Sequence, residues 1–155
     1  MNIWSSALHW HGTAARALEH LRSPLLLLTR LWVSWQFLAS GWLKLTTWDT
    51  TIVLFENEYR TPLLPPLAAA VAGTFGELFF PALLMLGLFG RFAALGLCAI
   101  NLMAVVSYWH VLGSEGYEAA LAQHVLWGFM ILVLLIFGAG GLSVDRLLER
   151  RATRT

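Results

Sequence analysis

A carboxylate in the middle of an apolar stretch constrains this chain more than any other feature of its sequence. Residues 66–91 read PLAAAVAGTFGELFFPALLMLGLFGR, which is long enough to cross a lipid bilayer. Glu77 lies about 16 Å of helical rise from Pro66, close to the centre of the stretch. An ionised carboxylate there costs about 2.5–3.5 kcal/mol on insertion scales if it faces lipid. Glu77 is therefore predicted to face protein or water, and it is the first candidate for a functional site.

The residues around Glu77 support this orientation. Gly73 lies one turn earlier and Gly76 is adjacent, so another helix can approach closely. Pro81 removes the helical hydrogen-bond donor for the carbonyl of Glu77, which then needs a partner from elsewhere in the protein. Two interpretations stay open: a carboxylate that performs chemistry, and a buried ion pair that only fixes the register of the helices.

The composition defines the class of protein. Of the 155 residues, 58% are hydrophobic and 12% are charged, whereas soluble domains average roughly 45–50% and 25%. The chain is therefore predicted to be an integral membrane protein. The net charge of +1 says nothing by itself about nucleic acid, but no arginine-rich patch interleaved with aromatics is found, so nucleic acid is not expected as a partner. The single cysteine, Cys98, excludes an intrachain disulfide, so any redox chemistry would need a cofactor or a partner. Residues 1–24 lack the apolar core of a cleavable signal peptide.

Hydropathy predicts an all-α transmembrane four-helix bundle over residues 24–140. Its spans are expected at about 24–45, 66–89, 91–112 and 119–137. Residues 1–23 are predicted to form an interfacial amphipathic helix that begins after Ser5 or Ser6, and residues 141–155 form a basic tail. The long loop, 46–65, carries Trp48 and Tyr59 for the aromatic belt of the membrane, and its middle is compatible with a short strand or a re-entrant helix.

The distribution of charge predicts the orientation in the membrane. The termini and the turn between the second and third spans hold Arg16, Arg22, Arg91, Arg146, Arg150, Arg151 and Arg154. The two opposite loops hold Lys44 and Arg60 together with Asp49, Glu56, Glu58, Glu115 and Glu118. Because cytoplasmic loops carry an excess of basic residues, both termini are predicted to lie in the cytoplasm.

Two further polar residues belong to the first span. Arg30 lies inside the span and is expected to turn toward the interior of the bundle or to snorkel to the near membrane surface. Turned inward, it would form a charge network with Glu77. An axial offset of several ångströms suggests a bridging water between the two. Lys44 is expected at the far membrane surface, where a lysine is ordinary.

The third and fourth spans add the remaining candidates. Asn101 lies near the depth of Glu77, and Tyr108 follows two turns later on the same face. Asn101 is also compatible with a simple packing role. His110 and His124 lie near the same surface, so a shared haem or metal site is an alternative. The His9-Trp10-His11 run lacks helical i, i+4 spacing and nearby carboxylates, so no metal site is assigned to it.

Several motifs in a fixed order resemble the DoxX family of small four-helix membrane proteins. They are Arg30 with Gly41-x-x-Lys44, then Glu77 with Gly87-Leu88-Phe89-Gly90-Arg91 and Phe92-Ala93-Ala94, and finally Gly138-x-Gly140-x-x-Ser143-x-Asp145-Arg146. The resemblance covers roughly residues 25–148. It implies an inner-membrane bundle whose polar pattern is matched here by Arg30, Lys44, Glu77 and Arg91.

The resemblance also implies an association with redox chemistry. The family takes its name from a subunit associated with archaeal quinone-linked oxidation of thiosulfate, and many members are accessory proteins. This sequence differs in its histidine-rich N-terminal extension, its small acidic second outer loop and its lack of paired cysteines. Those differences argue against direct thiol chemistry.

The leading hypothesis is an accessory membrane subunit of a redox system that binds a quinone, or a similar apolar cofactor, between helices. Haem is the less favoured cofactor. The candidate catalytic residues are Glu77 and Arg30, and the candidate binding residues are His124, Asn101, Lys44, Arg91 and Tyr108. The alternative is a non-catalytic assembly or docking subunit for a partner oxidoreductase, and a homo-oligomer is also open. Transport has little support because inverted repeats are not obvious.

Overall fold

In the computed structural model, residues 3–153 are described, and every regular element within that range is an α-helix. The helices are α1 (Ile3–His20), α2 (Arg22–Thr46), α3 (Trp48–Asn57), α4 (Pro66–Leu86), α5 (Gly90–Ser107), α6 (Trp109–Leu112), α7 (Glu118–Phe137) and α8 (Val144–Ala152). The predicted all-α fold class is confirmed for this part of the chain.

Three of these helices, α4, α5 and α7, are long and apolar enough to cross a membrane. The protein is therefore a multi-pass membrane protein. Helix α2 has 25 residues, but Arg30, Ser34 and Gln36 lower its hydropathy, and it is not among the helices that meet this criterion. Three of the four predicted spans are thus supported, and the crossing of the membrane by α2 stays a prediction.

The four long helices pack in a closed order. Helix α2 contacts α4, α4 contacts α5, α5 contacts α7, and α7 contacts α2. The centre is filled by fully buried aliphatic side chains, the largest of which are Leu84, Leu97, Ile131, Leu134 and Val33. Large apolar side chains such as Val125, Phe129 and Ile136 are exposed on the outside of α7. Because lipid is as apolar as these side chains, the exposed faces fit a membrane better than water.

Gly41 sets the register between α2 and α4. A Cβ atom at Gly41 would lie 3.0 Å from the Cβ of Glu77 and 3.0 Å from the Cγ of Leu78. Only a glycine lets the two backbones approach this closely. Gly41 and Glu77 are consequently level with each other along the helix axes.

The turn between α4 and α5 is held by a residue from the distant α8. Gly87 ends α4 in the left-handed conformation (φ 69°), and Phe89 is also left-handed (φ 49°). The two carboxylate oxygens of Asp145 accept hydrogen bonds from the backbone N–H groups of Phe89 (2.8 Å) and Gly90 (2.9 Å). These bonds satisfy donors at the start of α5 that have no partner within the helix.

The structure selects one of two open alternatives for the long loop and differs from the sequence predictions at two helix boundaries. The middle of the long loop is helical: α3 packs against both α4 and α2, and the Thr51 hydroxyl donates to the carbonyl of Lys44 (3.0 Å). The predicted span 91–112 is interrupted at Tyr108, between α5 and α6. Helix α1 begins at Ile3, before the serines that were expected to mark its start.

Candidate functional site

A buried ion pair joins α2 and α4. The ammonium of Lys44 donates to the Oε1 atom of Glu77 at 2.5 Å, and it lies 3.4 Å from the Ser40 hydroxyl. The side chain of Lys44 is 17% exposed and that of Glu77 is 8% exposed. Glu77 therefore faces protein, as the sequence predicted, but its ionic partner is Lys44.

The register at Gly41 explains why Lys44 reaches Glu77. Because Gly41 is level with Glu77, Lys44 lies only about 4.5 Å further along α2, within reach of a lysine side chain. The sequence predicted Lys44 at the far membrane surface, and the structure places it in the last turn of α2 with its side chain partly buried against Glu77. Its level in the membrane stays a prediction.

A cavity of about 200 Å³ adjoins this ion pair. Its walls come from α2, α3, α4, α5, α6 and α7 and from the loop before α4. The polar lining residues are Ser40, Lys44, Tyr59, Thr61, Glu77, Ser107, Tyr108 and His124, and the apolar ones include Phe55, Leu64, Ile100, Met103 and Leu112. A few convergent polar groups in a mainly apolar enclosure are typical of small-molecule sites.

One oxygen of Glu77 has no partner. Its Oε2 atom is buried and makes no hydrogen bond within the described residues, and the same is true of the Thr61 hydroxyl. A buried polar atom without a partner costs free energy comparable to a lost hydrogen bond, and more when it carries charge. Since Glu77 and Thr61 both line the cavity, a molecule inside it could satisfy these atoms.

His124 is oriented by Asn101 from the neighbouring helix. The Asn101 amide nitrogen donates to the His124 carbonyl (3.0 Å), and its amide oxygen lies 2.9 Å from the His124 Nδ1 atom. An amide oxygen only accepts hydrogen bonds, so Nδ1 carries the proton and Nε2 of the neutral ring is left as an acceptor. Asn101 thus joins α5 to α7 and orients a histidine that lines the cavity.

Aromatic rings form the wall nearest the long loop. The Tyr59 ring packs edge-on against Phe55 (4.7 Å between centroids) and Tyr108 (5.1 Å), and the Tyr108 hydroxyl donates to Glu58 (3.1 Å). Burial, and then the nearby charge of Glu77, raise the pKa of Tyr59 above its usual value of 10.0. The Tyr59 phenol therefore keeps its proton at neutral pH.

Arg30 belongs to a different part of the molecule. It donates to the carbonyls of Ala139 (2.7 Å) and Leu142 (2.8 Å), and a Cβ on Gly87 would lie 2.5 Å from its Nη1 atom. Arg30 is eleven residues from Gly41, so about 16 Å of helix separates it from the level of Glu77. The proposed Arg30–Glu77 network was wrong, because the offset is far larger than several ångströms and Arg30 is already engaged.

Two other candidates also lie away from the cavity. Arg91 is exposed at the start of α5, at the end of the molecule where Arg30 lies, and donates to the carbonyl of Ile136 (3.3 Å). His110 is exposed, contacts the Tyr108 ring and does not line the cavity, so the structure does not join it with His124 in one pocket. No group of three or more His, Cys, Asp or Glu side chains within the described residues is arranged to hold a metal ion, and the His9 side chain lies outside them.

The lining residues that sequence reasoning missed include Ser40, Phe55, Tyr59 and Thr61. Ser40 had a signal, because it lies one helical turn before Lys44. The other three had none beyond their place in the long loop, since only the helical fold of α3 and its packing on α4 bring that loop to Glu77. A hydrogen bond from the Arg60 N–H to the Ser107 carbonyl (2.9 Å) ties the loop to the end of α5.

The fold and the site together define a multi-pass helical membrane protein with a small pocket between its helices. The family model described as DoxX matches residues 25–110, more than half of the chain, and the protein therefore belongs to the DoxX family. An uncharacterized protein of Haemophilus influenzae is 29% identical over 132 residues, which cover 81% of this chain and 83% of the relative. No solved structure matches the chain.

Proposed function

We propose that this protein is an accessory subunit of a redox system and that it binds the ring of a quinol or quinone in the cavity beside Glu77. The observation that carries the proposal is the unpartnered Oε2 atom of Glu77 at the wall of a pocket. A carboxylate that only fixed helix register would be expected to use both oxygens, as Asp145 does at the α4–α5 turn.

The size of the cavity supports a single ring. A pocket of about 150 Å³ in another protein holds one benzene molecule, and this one measures about 200 Å³. Pockets for larger ligands measure roughly 300–1,000 Å³. The space therefore suits the head of a quinone better than a porphyrin, so haem is the weaker candidate. The apolar lining residues Ile100, Met103 and Leu112 suit the faces of such a ring.

The polar residues of the pocket match the two oxygens of such a head. Glu77 Oε2 and His124 Nε2 are acceptors, and each can accept a hydrogen bond from a hydroxyl. Lys44 is a donor that can bind a carbonyl oxygen, and its charge also stabilises the Glu77 carboxylate. A bound quinone supplies two-electron, two-proton chemistry. The role of Glu77 in this proposal is to hold the hydroxyl and to accept its proton at Oε2.

The non-catalytic docking subunit remains the competing function, and the two make different predictions about the pocket. A docking subunit needs the Lys44–Glu77 pair only to align α2 with α4. Loss of the pair would then reduce stability and leave no change in bound small molecules.

The test is quinone analysis of the full chain purified gently from membranes. Organic extracts of the wild type, of Glu77→Gln and of Glu56→Gln are compared by chromatography, each normalised to folded protein. Glu56 is a matched control because it is exposed on α3 and does not line the pocket. We expect stoichiometric quinone in the wild type and in Glu56→Gln, and at least about a tenfold loss in Glu77→Gln, as for a charge-assisted hydrogen bond. Wild-type protein without quinone, whose Glu77→Gln variant loses only stability, would contradict the proposal.

A further inference from the structure

A second cavity lies at the opposite end of the helices and is lined by arginines. It measures about 590 Å³ and is formed where α2 and α5 begin, α7 ends and α8 follows. Arg22, Arg91 and Arg146 line it together with the backbone of residues 138–141. Nothing in the proposed quinone site uses these residues, since that site lies beside Glu77.

The acidic residues of this cavity are already engaged. Both oxygens of Asp145 accept backbone N–H groups from the start of α5, and Glu149 accepts from Arg146 (2.9 Å) in an exposed pair. The Cζ atom of Arg22 lies 5.1 Å from the centroid of the Phe137 ring, and one N–H group of Arg91 donates to the Ile136 carbonyl. A guanidinium has five N–H donors, so most of the donors of Arg22 and Arg91 are left for an anion.

The surroundings of the cavity are apolar and face outward. Leu25, Phe89, Ile136 and Phe137 are all exposed next to it along the chain. Helix α8 continues this surface, because Leu147 and Leu148 are exposed beside Arg146 and Arg150. A basic helix with exposed leucines is typical of a helix that lies in the membrane interface. The arginines are therefore placed at the level of lipid head groups, with apolar side chains on the hydrocarbon side.

We propose that this cavity binds the phosphodiester head group of an anionic phospholipid from the same leaflet. Arginine forks bind phosphate oxygens in pairs, and basic pockets between membrane helices on the cytoplasmic side bind acidic lipid heads. The exposed Phe137 and Ile136 side chains would contact the acyl chains. The excess of arginine at this end also predicts that it faces the cytoplasm, where anionic lipids are available to it.

The test is thermal unfolding of the full chain in mixed micelles that contain either phosphatidylglycerol or phosphatidylcholine with the same acyl chains. At about tenfold excess over the dissociation constant, we expect phosphatidylglycerol to raise Tm by roughly 3–6 °C more than phosphatidylcholine does. The double variant Arg22→Gln/Arg91→Gln should lose this difference. The matched control Arg150→Gln/Arg151→Gln removes the same charge from residues that do not line the cavity and should keep it.

Three results would overturn the proposal: an equal rise with both lipids, an equal loss in the control variant, or a full rise with inorganic phosphate alone. The last result would identify a site for free phosphate. Native mass spectrometry of the wild type gives an independent answer if the double variant does not fold. Preferential retention of phosphatidylglycerol from an equimolar mixture supports the proposal, and retention without preference contradicts it.

Discussion

Two clusters of charge lie at different levels of the molecule, and they differ in what surrounds them. At one end, Arg30 binds two backbone carbonyls and Asp145 binds two backbone N–H groups. Near the middle of α4, one oxygen of Glu77 accepts from Lys44 and the other oxygen has no hydrogen-bond partner. The Nε atom of Arg30 is also unpartnered, but Arg30 lines none of the cavities described above, whereas Glu77 lines one.

This comparison separates a charge that holds the fold from a charge that can bind a ligand. Arg30 joins α2 to the loop between α7 and α8, a contact between residues more than a hundred positions apart. Its partners are all backbone atoms of the protein, so its contribution is structural. Glu77 has an unused acceptor, a neighbouring cation and a space of molecular size. Arg30 and Glu77 are both buried charges, but of the two only Glu77 lines a cavity that another molecule can occupy.

The largest effect on stability is expected for Arg30→Met. This change leaves the carbonyls of Ala139 and Leu142 without their donors, at about 1–3 kcal/mol each. We expect a loss of roughly 3–5 kcal/mol in the free energy of unfolding, measured by denaturation in detergent micelles. Quinone bound per folded molecule should not change. Arg150→Met, at an exposed arginine, is the control and should unfold like the wild type. If Arg30→Met kept the stability of the wild type and lost its bound quinone, the structural role of Arg30 would be contradicted.

A smaller loss is expected for Gly41→Ala, which acts on the register of the pocket. The new Cβ would lie 3.0 Å from the Cβ of Glu77, so α2 and α4 must separate. Overpacking of this kind costs about 1–3 kcal/mol, and it moves Lys44 relative to Glu77. We expect both lower stability and weaker quinone retention. Gly12→Ala is the control, because no atom lies within 4 Å of a Cβ at that position. Normal quinone retention in Gly41→Ala would show that the pocket does not depend on this contact.

The fold and the site differ in how far they could be predicted from the sequence. Glu77 was recognised because a carboxylate in an apolar helix has few places to face, and this is a local property. The tight turn at Gly90 was also recognisable from its residues. The ionic partner of Glu77 was not recognisable from the sequence, because it depends on how far α2 is displaced along α4. That displacement is fixed by the contact of Gly41 with Glu77, between residues that are distant in sequence.

The same reason explains the error on Arg30. Counting residues from each predicted membrane surface assumes that all helices end at the same level. Gly41 is level with Glu77 and lies eleven residues from Arg30, so about 16 Å of helix separates Arg30 from Glu77. The helical nature of α3 was itself undecided, since TIVLFENEY fits a strand or a helix by periodicity. Without α3, the lining residues Phe55 and Tyr59 could not be assigned to the pocket.

A modest effect is expected for Asn101→Leu. The variant loses both hydrogen bonds to His124, and interhelical bonds of this kind contribute about 0.6–1.7 kcal/mol. Since the Nδ1 proton is no longer held, we also expect weaker quinone retention. Gln123→Leu is a matched control, because it removes an exposed amide next to His124. If both variants retain quinone equally, the orientation of His124 has no role in binding.

The smallest effect is expected for Tyr59→Phe and depends on pH. The pKa of Tyr59 is raised in the folded protein, so the fold favours the neutral phenol. This contribution is complete below the ordinary pKa of about 10 and is lost as the pH rises through the higher folded pKa. Tyr59→Phe should therefore match the wild type at pH 7 and resist alkaline unfolding better. Tyr117→Phe, at an exposed tyrosine, should show no gain. An equal gain in both variants would contradict the account of Tyr59.

The most direct test measures stability and ligand binding together in two variants, Glu77→Gln and Arg30→Met. Binding of a short-chain benzoquinol is followed by tryptophan fluorescence, since the ring centroids of Trp127 and His124 are 5.0 Å apart. The Glu56→Gln variant is the control that corrects for partition of the quinol into the micelle. The account predicts that Glu77→Gln loses at least about tenfold in affinity with little change in Tm, and that Arg30→Met does the opposite. If Glu77→Gln lowers Tm as strongly as Arg30→Met and binds the quinol like the wild type, both clusters are structural and the central claim is wrong.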